Sequence, residues 1–173
     1  MTRQPISIEK FIVKPQPFWE ELLLASGNLA ECRFNAMTIG WGSLGVMWGI
    51  PFVQVVVRPT RYTYEYMEKY DTFTICAFPK KYHQALQLLG TKSGRDGDKI
   101  AEAGLTPIPS AQIAAPSFAQ AKLVLECRKI YWDDMQKDHF LDEKIGHKYP
   151  NKDYHRIYYG EILVVMGNKR YKA

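Results

Sequence analysis

"FNAMTIGWGSLGVMWGIPFVQVVVRPTRYT", residues 34–63, is the stretch on which the fold turns. Its left end, "FNAMTIGW", reads as a strand opening into a glycine-rich loop. Its right end, "FVQVVVRP", is a strand of β-branched residues stopped by Pro59. Between them Gly40, Gly42, Gly45 and Gly49 interrupt an apolar run. Their spacing lacks both the G-x-G-x-x-G of a dinucleotide turn and the Gly-Lys-Ser/Thr ending of a Walker loop, and no βαβ unit follows. Glycine has no Cβ, so such a segment brings backbone N–H and C=O groups close to a flat ligand. Met37, Trp41 and Trp48 then supply apolar walls, or else simply fill the core.

The stretch closes on Arg58, Pro59, Thr60, Arg61, Tyr62 and Thr63. These residues lie between a strand end and a short helix, "TYEYMEKY", for which Thr63 is the expected N-cap and Glu65 a first-turn acid. Backbone N–H groups at a helix start, the positive end of its dipole and two guanidiniums make an anion site suited to phosphate. The competing reading is a turn whose arginines pair with carboxylates such as Glu65 and Glu68. Further on, "SGRDGDK", residues 93–99, alternates Asp96 and Asp98 as a calcium loop does. It lacks the remaining EF-hand ligands and the central glycine. It is either a loop with an N-capping Asp or a second anion contact through Ser93, Arg95 or Lys99.

Outward from these segments the chain alternates strands with short helices. "PFWEELLLASGN" reads as an early strand or short helix closing at Gly27-Asn28, and "TFTICAF" as a strand. "KKYHQALQLLG" is a helix closed by Gly90, and "DGDKIAEAG" a shorter one closed by Gly104. "QAKLVLECRKIYW" and "YHRIYYGEILVVMG" are long strands. No internal repeat appears. The order favours a mainly β fold, a barrel with helical insertions, over a βαβ sheet.

A chain of 173 residues points to a single domain, 1–173, that buries roughly 70% of its unfolded surface. Twenty-three Lys and Arg against 18 Asp and Glu give a net charge of +5, which favours an anionic partner. The basic runs "GNKRYKA" and "PKKYH" read as solvated surface. The tyrosines cluster in "RYTYEYMEKY" and "RIYYG", where packing explains them better than stacking on nucleic acid, so no nucleic-acid partner is expected. Cys32, Cys76 and Cys127 are far apart and read as buried free thiols in a reducing, cytoplasmic setting. No signal-peptide segment and no run of about 18 apolar residues is present, so no membrane association is expected. His83, His139, His147 and His155 are too dispersed for a metal site, and no Gly-x-Ser-x-Gly elbow supports acyl transfer.

Taken in order, "FNAMTIGWGSLG", "VVVRPTRYTYEYM", "FTICAFP", "SGRDGDKIAEAGL" and "YHRIYYGEILVV" resemble the flavin reductase-like family of FMN-binding split β-barrel proteins, near its flavoredoxin-type members. The resemblance runs from about Phe34 to Val165. It implies a homodimer of six-stranded Greek-key barrels with FMN at the subunit interface. It also implies an NAD(P)H:flavin oxidoreductase, with NADH or NADPH as reductant and a flavin or downstream carrier as acceptor. By the same resemblance Asn35, Met37, Thr38 and Trp41 lie along the isoalloxazine ring, and Arg58, Arg61, Tyr62 and Thr63 hold the ribityl phosphate. Ser93, Arg95 and Lys99 form the second polar loop of the FMN site. His155, in the final "H…YYGEI" strand, approaches the flavin edge as the candidate catalytic residue. The alternatives are a flavoredoxin-like FMN electron carrier with little nicotinamide activity and a basic binding module without cofactor.

Overall fold

The computed structural model describes residues 2–14 and 18–173; residues 15–17, part of the expected leading segment, lie outside the described residues. In chain order the elements are β1 (Gln4–Pro5), β2 (Leu22–Asn28), β3 (Arg33–Ile39), β4 (Gly42–Met47), β5 (Ile50–Val57), α1 (Tyr62–Lys69), β6 (Thr72–Ala77), α2 (His83–Thr91) and α3 (Lys99–Glu102). Then come β7 (Pro107–Ile108), β8 (Ser117–Phe118), β9 (Leu123–Asp134), α4 (Glu143–Gly146) and β10 (Arg156–Gly167). The main sheet is antiparallel and runs β3-β2-β6-β9-β10-β5-β4, with β1 paired to the end of β10.

The two edge strands of this order, β3 and β4, are joined only by Gly40 and Trp41. Three Cα steps reach at most about 11 Å. Seven strands laid flat would hold those edges roughly 29 Å apart. The sheet must therefore curl until its edges meet at the Gly40-Trp41 link. No ladder joins β3 to β4, so the curl is a split barrel and not a closed one.

Eight strands form this sheet, where the resemblance implies six. The two-residue β1 is one addition. The glycine-rich stretch is another, because it is strand and not loop: β4 pairs with β5 from Gly42↔Val55 to Met47↔Ile50. Trp48 and Gly49, at φ of 55° and 73°, make the two-residue turn. A turn with both residues at positive φ matches the twist of a hairpin, and Gly49 meets that need at no steric cost.

Strand alternation divides the apolar residues between two cores. Leu22, Leu24, Val53, Val55, Val57, Phe73, Ile75, Leu123 and Leu125 face the barrel interior. Leu23, Ala25, Ala36, Cys76 and Val124, one residue out of phase, pack with Leu86 and Leu89 of α2 and Ile100 of α3. Hence "LLLA" is buried at every position. A strand covered on both faces reads as a continuous apolar run.

Three local expectations are corrected. Arg61, not Thr63, precedes the first turn of α1, and Thr63 lies inside the helix with its hydroxyl accepting from Asn35 Nδ2 at 2.9 Å. Gly90 lies within α2, which ends at Thr91; a Cβ there would lie 3.3 Å from Thr38 Cβ, so the glycine lets the helix sit close on β3. Cys76 and Cys127 are buried as expected, but Cys32 is exposed in the β2–β3 turn. By contrast, Asp98 caps α3 through the amides of Ile100 and Ala101, and Gly104 follows that helix at φ 67°.

Candidate functional site

The curl that brings β3 to β4 leaves a cavity of about 210 Å³ at the split. Met37, Thr38, Ile39, Gly40 and Trp41 line it from β3 and the link, Val56, Arg58 and Arg61 from the end of β5 and the turn after it, and His155 from the approach to β10. A second cavity, about 60 Å³, shares Met37 and Arg61 with the first and continues along Tyr62, Thr63, Gly90, Ser93, Gly94 and Lys99. Adjoining at Met37 and Arg61, the two make a trough with Trp41 and His155 at one end and Lys99 at the other. A roomier groove of about 680 Å³ lies between the chain's two ends, but none of the expected site residues reaches it, and its buried Lys122 is already paired with Glu21 at 2.6 Å.

The cationic end is built around Lys99, which is only 4% exposed. Its Nζ donates to the carbonyls of Leu89 and Lys92, at 2.9 and 3.0 Å, beside the C-terminus of α2. Burial, and secondarily the nearby Arg61, push the pKa of its ammonium down to about 8. Arg61 makes one long bond, 3.3 Å, to the Gly90 carbonyl. Among the described residues neither cation forms an ion pair. A buried ammonium beside an exposed guanidinium, neither with a carboxylate partner, is an arrangement an anion relieves. Ser93 lines this cavity, although its hydroxyl accepts from the Arg95 amide at 3.2 Å.

Several expected residues stand beside the trough instead of inside it. Asn35 is buried and holds Thr63, while Gly94 passes so close that a Cβ would fall 2.6 Å from Asn35 Oδ1. Arg95 turns outward: it pairs with Glu65, and its guanidinium carbon lies 4.7 Å above the Tyr62 ring. Arg58 lines the larger cavity, yet its Nη1 donates to both oxygens of Asp153 at 2.8 Å and its Nη2 to the Lys148 carbonyl at 2.8 Å. Pairing of Arg58 was one of the two readings of the turn, but the partner comes from the β9–β10 connection. Glu68 instead binds Arg156 and Tyr158, at 2.7 and 2.5 Å.

At the apolar end, Met37, Thr38 and Trp41 all line the cavity, and Trp41 keeps 48% exposure. Thr38 Oγ1 is anchored on the Leu86 carbonyl, which leaves its methyl and backbone for the cavity wall. The Trp41 ring sits 5.2 Å from that of His155. His155 is 8% exposed, and its Nδ1 lies 2.8 Å from the hydroxyl of Tyr149. Burial first, then the Arg58 charge, push the His155 pKa down to about 4, so the ring is neutral at physiological pH. Tyr149 and Asp153 carry no local sequence signal: both belong to a polar, irregular connection whose relation to β5 exists only in three dimensions. Among the described residues no cluster of three or more His, Cys, Asp or Glu side chains is arranged to hold a metal ion.

The comparisons with known proteins agree with this architecture. Residues 22–170 match the family model of the flavin reductase like domain. An uncharacterized protein of Pyrococcus abyssi is 31% identical over 120 residues, which cover 69% of this chain and 66%, just under two thirds, of that relative. Among solved structures, flavoredoxin of Desulfovibrio vulgaris (Miyazaki F) superposes with a TM-score of 0.67 at 23% identity, over 92% of this chain and 73% of its own. Flavoredoxin from Methanosarcina acetivorans gives 0.67 at 20%, over 97% and 74%. An FMN-binding domain of flavin reductases-like enzyme from Shewanella baltica OS155 gives 0.64 at 16%, over 93% and 80%. At these identities the structural likenesses establish the fold, a flavin reductase-like split barrel.

Proposed function

The chain belongs to the flavin reductase like family, and from that premise we propose that it binds FMN along the trough and reduces it with NADH or NADPH. The observation that carries this reading is the pairing of two ends on one trough: flat apolar walls at Met37 and Trp41, and two cations without carboxylate partners, Arg61 and Lys99, at the other end. The first suits an isoalloxazine ring and the second a phosphate. Flavoredoxins and an FMN-binding domain among the structural neighbours support the choice of flavin.

Bound FMN would supply the hydride-accepting chemistry, and the chain's own residues bind, orient and exclude water. Arg61 and Lys99 seat the phosphate, with Ser93 and the first turn of α1 beside them. Asn35 and Thr63 hold each other and so fix β3 against α1 under the ribityl segment. Met37, Thr38 and Trp41 line the ring's seat, and His155 faces it as a neutral hydrogen-bonding group. Arg58 acts on the site by tying down the β9–β10 connection, which keeps the His155 side of the cavity closed to water. A second reading, an FMN electron carrier with little nicotinamide activity, uses the same seat. The flavoredoxins among the structural neighbours favour it.

A cavity of about 210 Å³ falls below the roughly 300–1,000 Å³ typical of ligand sites. We assign the missing wall to a second copy of the chain. Val46, Met47 and Trp48 on the β4–β5 hairpin, with Tyr131 and Trp132 on β9, expose apolar surface, and the Trp48 ring lies 5.8 Å from that of Tyr131. A homodimer covers that surface and the β4 edge. The working unit is one domain over residues 1–173 acting in the cytoplasm. No helix among the described residues is long and apolar enough to cross a membrane. The test is anaerobic mixing of the FMN-loaded protein with NADH and with NADPH, followed by the loss of flavin absorbance. Rapid bleaching by either supports the reductase. A loaded protein that bleaches only with dithionite is a carrier, and a chain that takes up no FMN is neither.

A further inference from the structure

His155 has two ring nitrogens, and only one of them is accounted for. Nδ1 meets the Tyr149 hydroxyl at 2.8 Å. Among the described residues Nε2 has no hydrogen-bond partner, and no buried side-chain nitrogen or oxygen is left unsatisfied, so Nε2 is open to the cavity that His155 lines. A neutral imidazole carries one proton, and whichever nitrogen holds it decides whether the cavity meets a donor or an acceptor.

The surroundings of Tyr149 settle that choice. The side chain is 5% exposed, and burial pushes its pKa above the usual tyrosine value, so the hydroxyl keeps its proton. Two acceptors compete for that proton: His155 Nδ1, and Met135 Sδ at 3.3 Å. An unprotonated imidazole nitrogen is a strong acceptor and a thioether a weak one. The hydroxyl therefore donates to Nδ1, and the imidazole proton stands on Nε2. The tyrosine is held for this task from several sides. Its ring lies 4.8 Å beneath the Arg58 guanidinium and packs on Phe140 and Tyr154, with centroids 5.6 and 5.0 Å away. Arg58 is fixed in turn by Asp153 and the Lys148 carbonyl, so residues 148–155 form one clamp around His155.

We propose that Tyr149 is a positioning residue of this site, locking His155 in the neutral Nε2–H form so that the cavity is offered one fixed hydrogen-bond donor. Its use in catalysis rests on the reading of the cavity as the flavin ring's seat; its existence does not. The occupant that this donor recognises has an acceptor atom at the His155 end, as the heteroatom edge of a flavin or the carboxamide oxygen of a nicotinamide does.

Nitrogen-15 NMR of the imidazole in the ligand-free protein tests the lock. The wild type is expected to show Nε2 protonated and Nδ1 bare between pH 6 and pH 8. Tyr149→Phe keeps the ring stack and removes the donor, and is expected to show a mixture of tautomers. In the FMN-loaded protein the same variant is expected to reduce flavin about five- to tenfold more slowly. Met135→Leu removes only the losing acceptor and leaves the tautomer alone. A protonated Nδ1 in the wild type, or a tautomer that changes in Met135→Leu, overturns the proposal even if Tyr149→Phe does not fold. Failure of the chain to take up FMN would sink the flavin reading and leave the tautomer result standing, so the two failures are distinct.

Discussion

Replacing Lys99 by methionine separates the cost of a buried charge from its use. The ammonium has a pKa of about 8 in the folded chain against 10.5 when solvated. Between those values the unfolded chain binds more protons, so stability rises with pH; it is full above about 10.5 and lost as pH falls through about 8. The whole cost of holding Lys99 charged at neutral pH is about 3 kcal/mol, of which about 2 kcal/mol is recovered between pH 7 and pH 9.5. With a urea slope of about 2 kcal/mol/M, the wild-type midpoint should climb by about 1 M more than that of Lys99→Met over this interval. Methionine keeps the length of the stem and removes the charge, so the variant lacks this increment. The same variant is expected to bind FMN about ten- to a hundredfold more weakly while riboflavin, which has no phosphate, binds as before. Midpoints that move in parallel from pH 7 to pH 9.5, or equal losses for both ligands, would refute the reasoning.

The two arginines of the turn are expected to part company. Arg61→Ala should weaken FMN by about tenfold or more and spare riboflavin, whereas Arg58→Ala, which strands Asp153 and frees the β9–β10 connection, should lower stability and weaken both ligands alike in fluorescence titration. His155→Ala should slow flavin reduction about ten- to a hundredfold with FMN still bound, read by stopped flow. Because the native His155 pKa lies near 4 and the solvated value is 6.5, its contribution to stability is full above pH 6.5 and fades as pH falls through 4; His155→Ala should lack that acid dependence in thermal melts. Light scattering should give about twice the 20.0 kDa chain mass, and Trp48→Asn, which the turn's positive φ tolerates, should shift the protein toward monomer. A wild-type monomer that holds FMN with full affinity would defeat the dimer.

The parts of the fold legible in the sequence are those decided by local periodicity. The β-branched run ending at Pro59, the apolar strand "LLLA" and the two long final strands all announce themselves through composition and alternation. The β4 strand does not, since Gly42 and Gly45 depress strand propensity and a Trp in the left-handed region hides the hairpin turn. The site shows the same division. Met37, Thr38, Trp41, Arg61 and Lys99 sit on segments whose order marks the family, and they line the trough. The partner of Arg58 is 95 residues away, a contact written by the curl of the sheet, and Tyr149, six residues before His155, follows α4 in a stretch whose spacing carries no motif. Arg95 and Asn35 have the chemistry of ligand contacts but are taken up by Glu65 and Thr63, a competition that spacing alone does not decide.

The central claim is that one trough seats both a flavin ring and its phosphate. Titrating the purified, flavin-free chain with FMN and with riboflavin, and following the quenching of flavin fluorescence, tests it most directly. The expected result is one FMN per chain, bound at least about tenfold more tightly than riboflavin, with the difference abolished in Lys99→Met. Equal affinity for the two ligands, or uptake of neither, would contradict it.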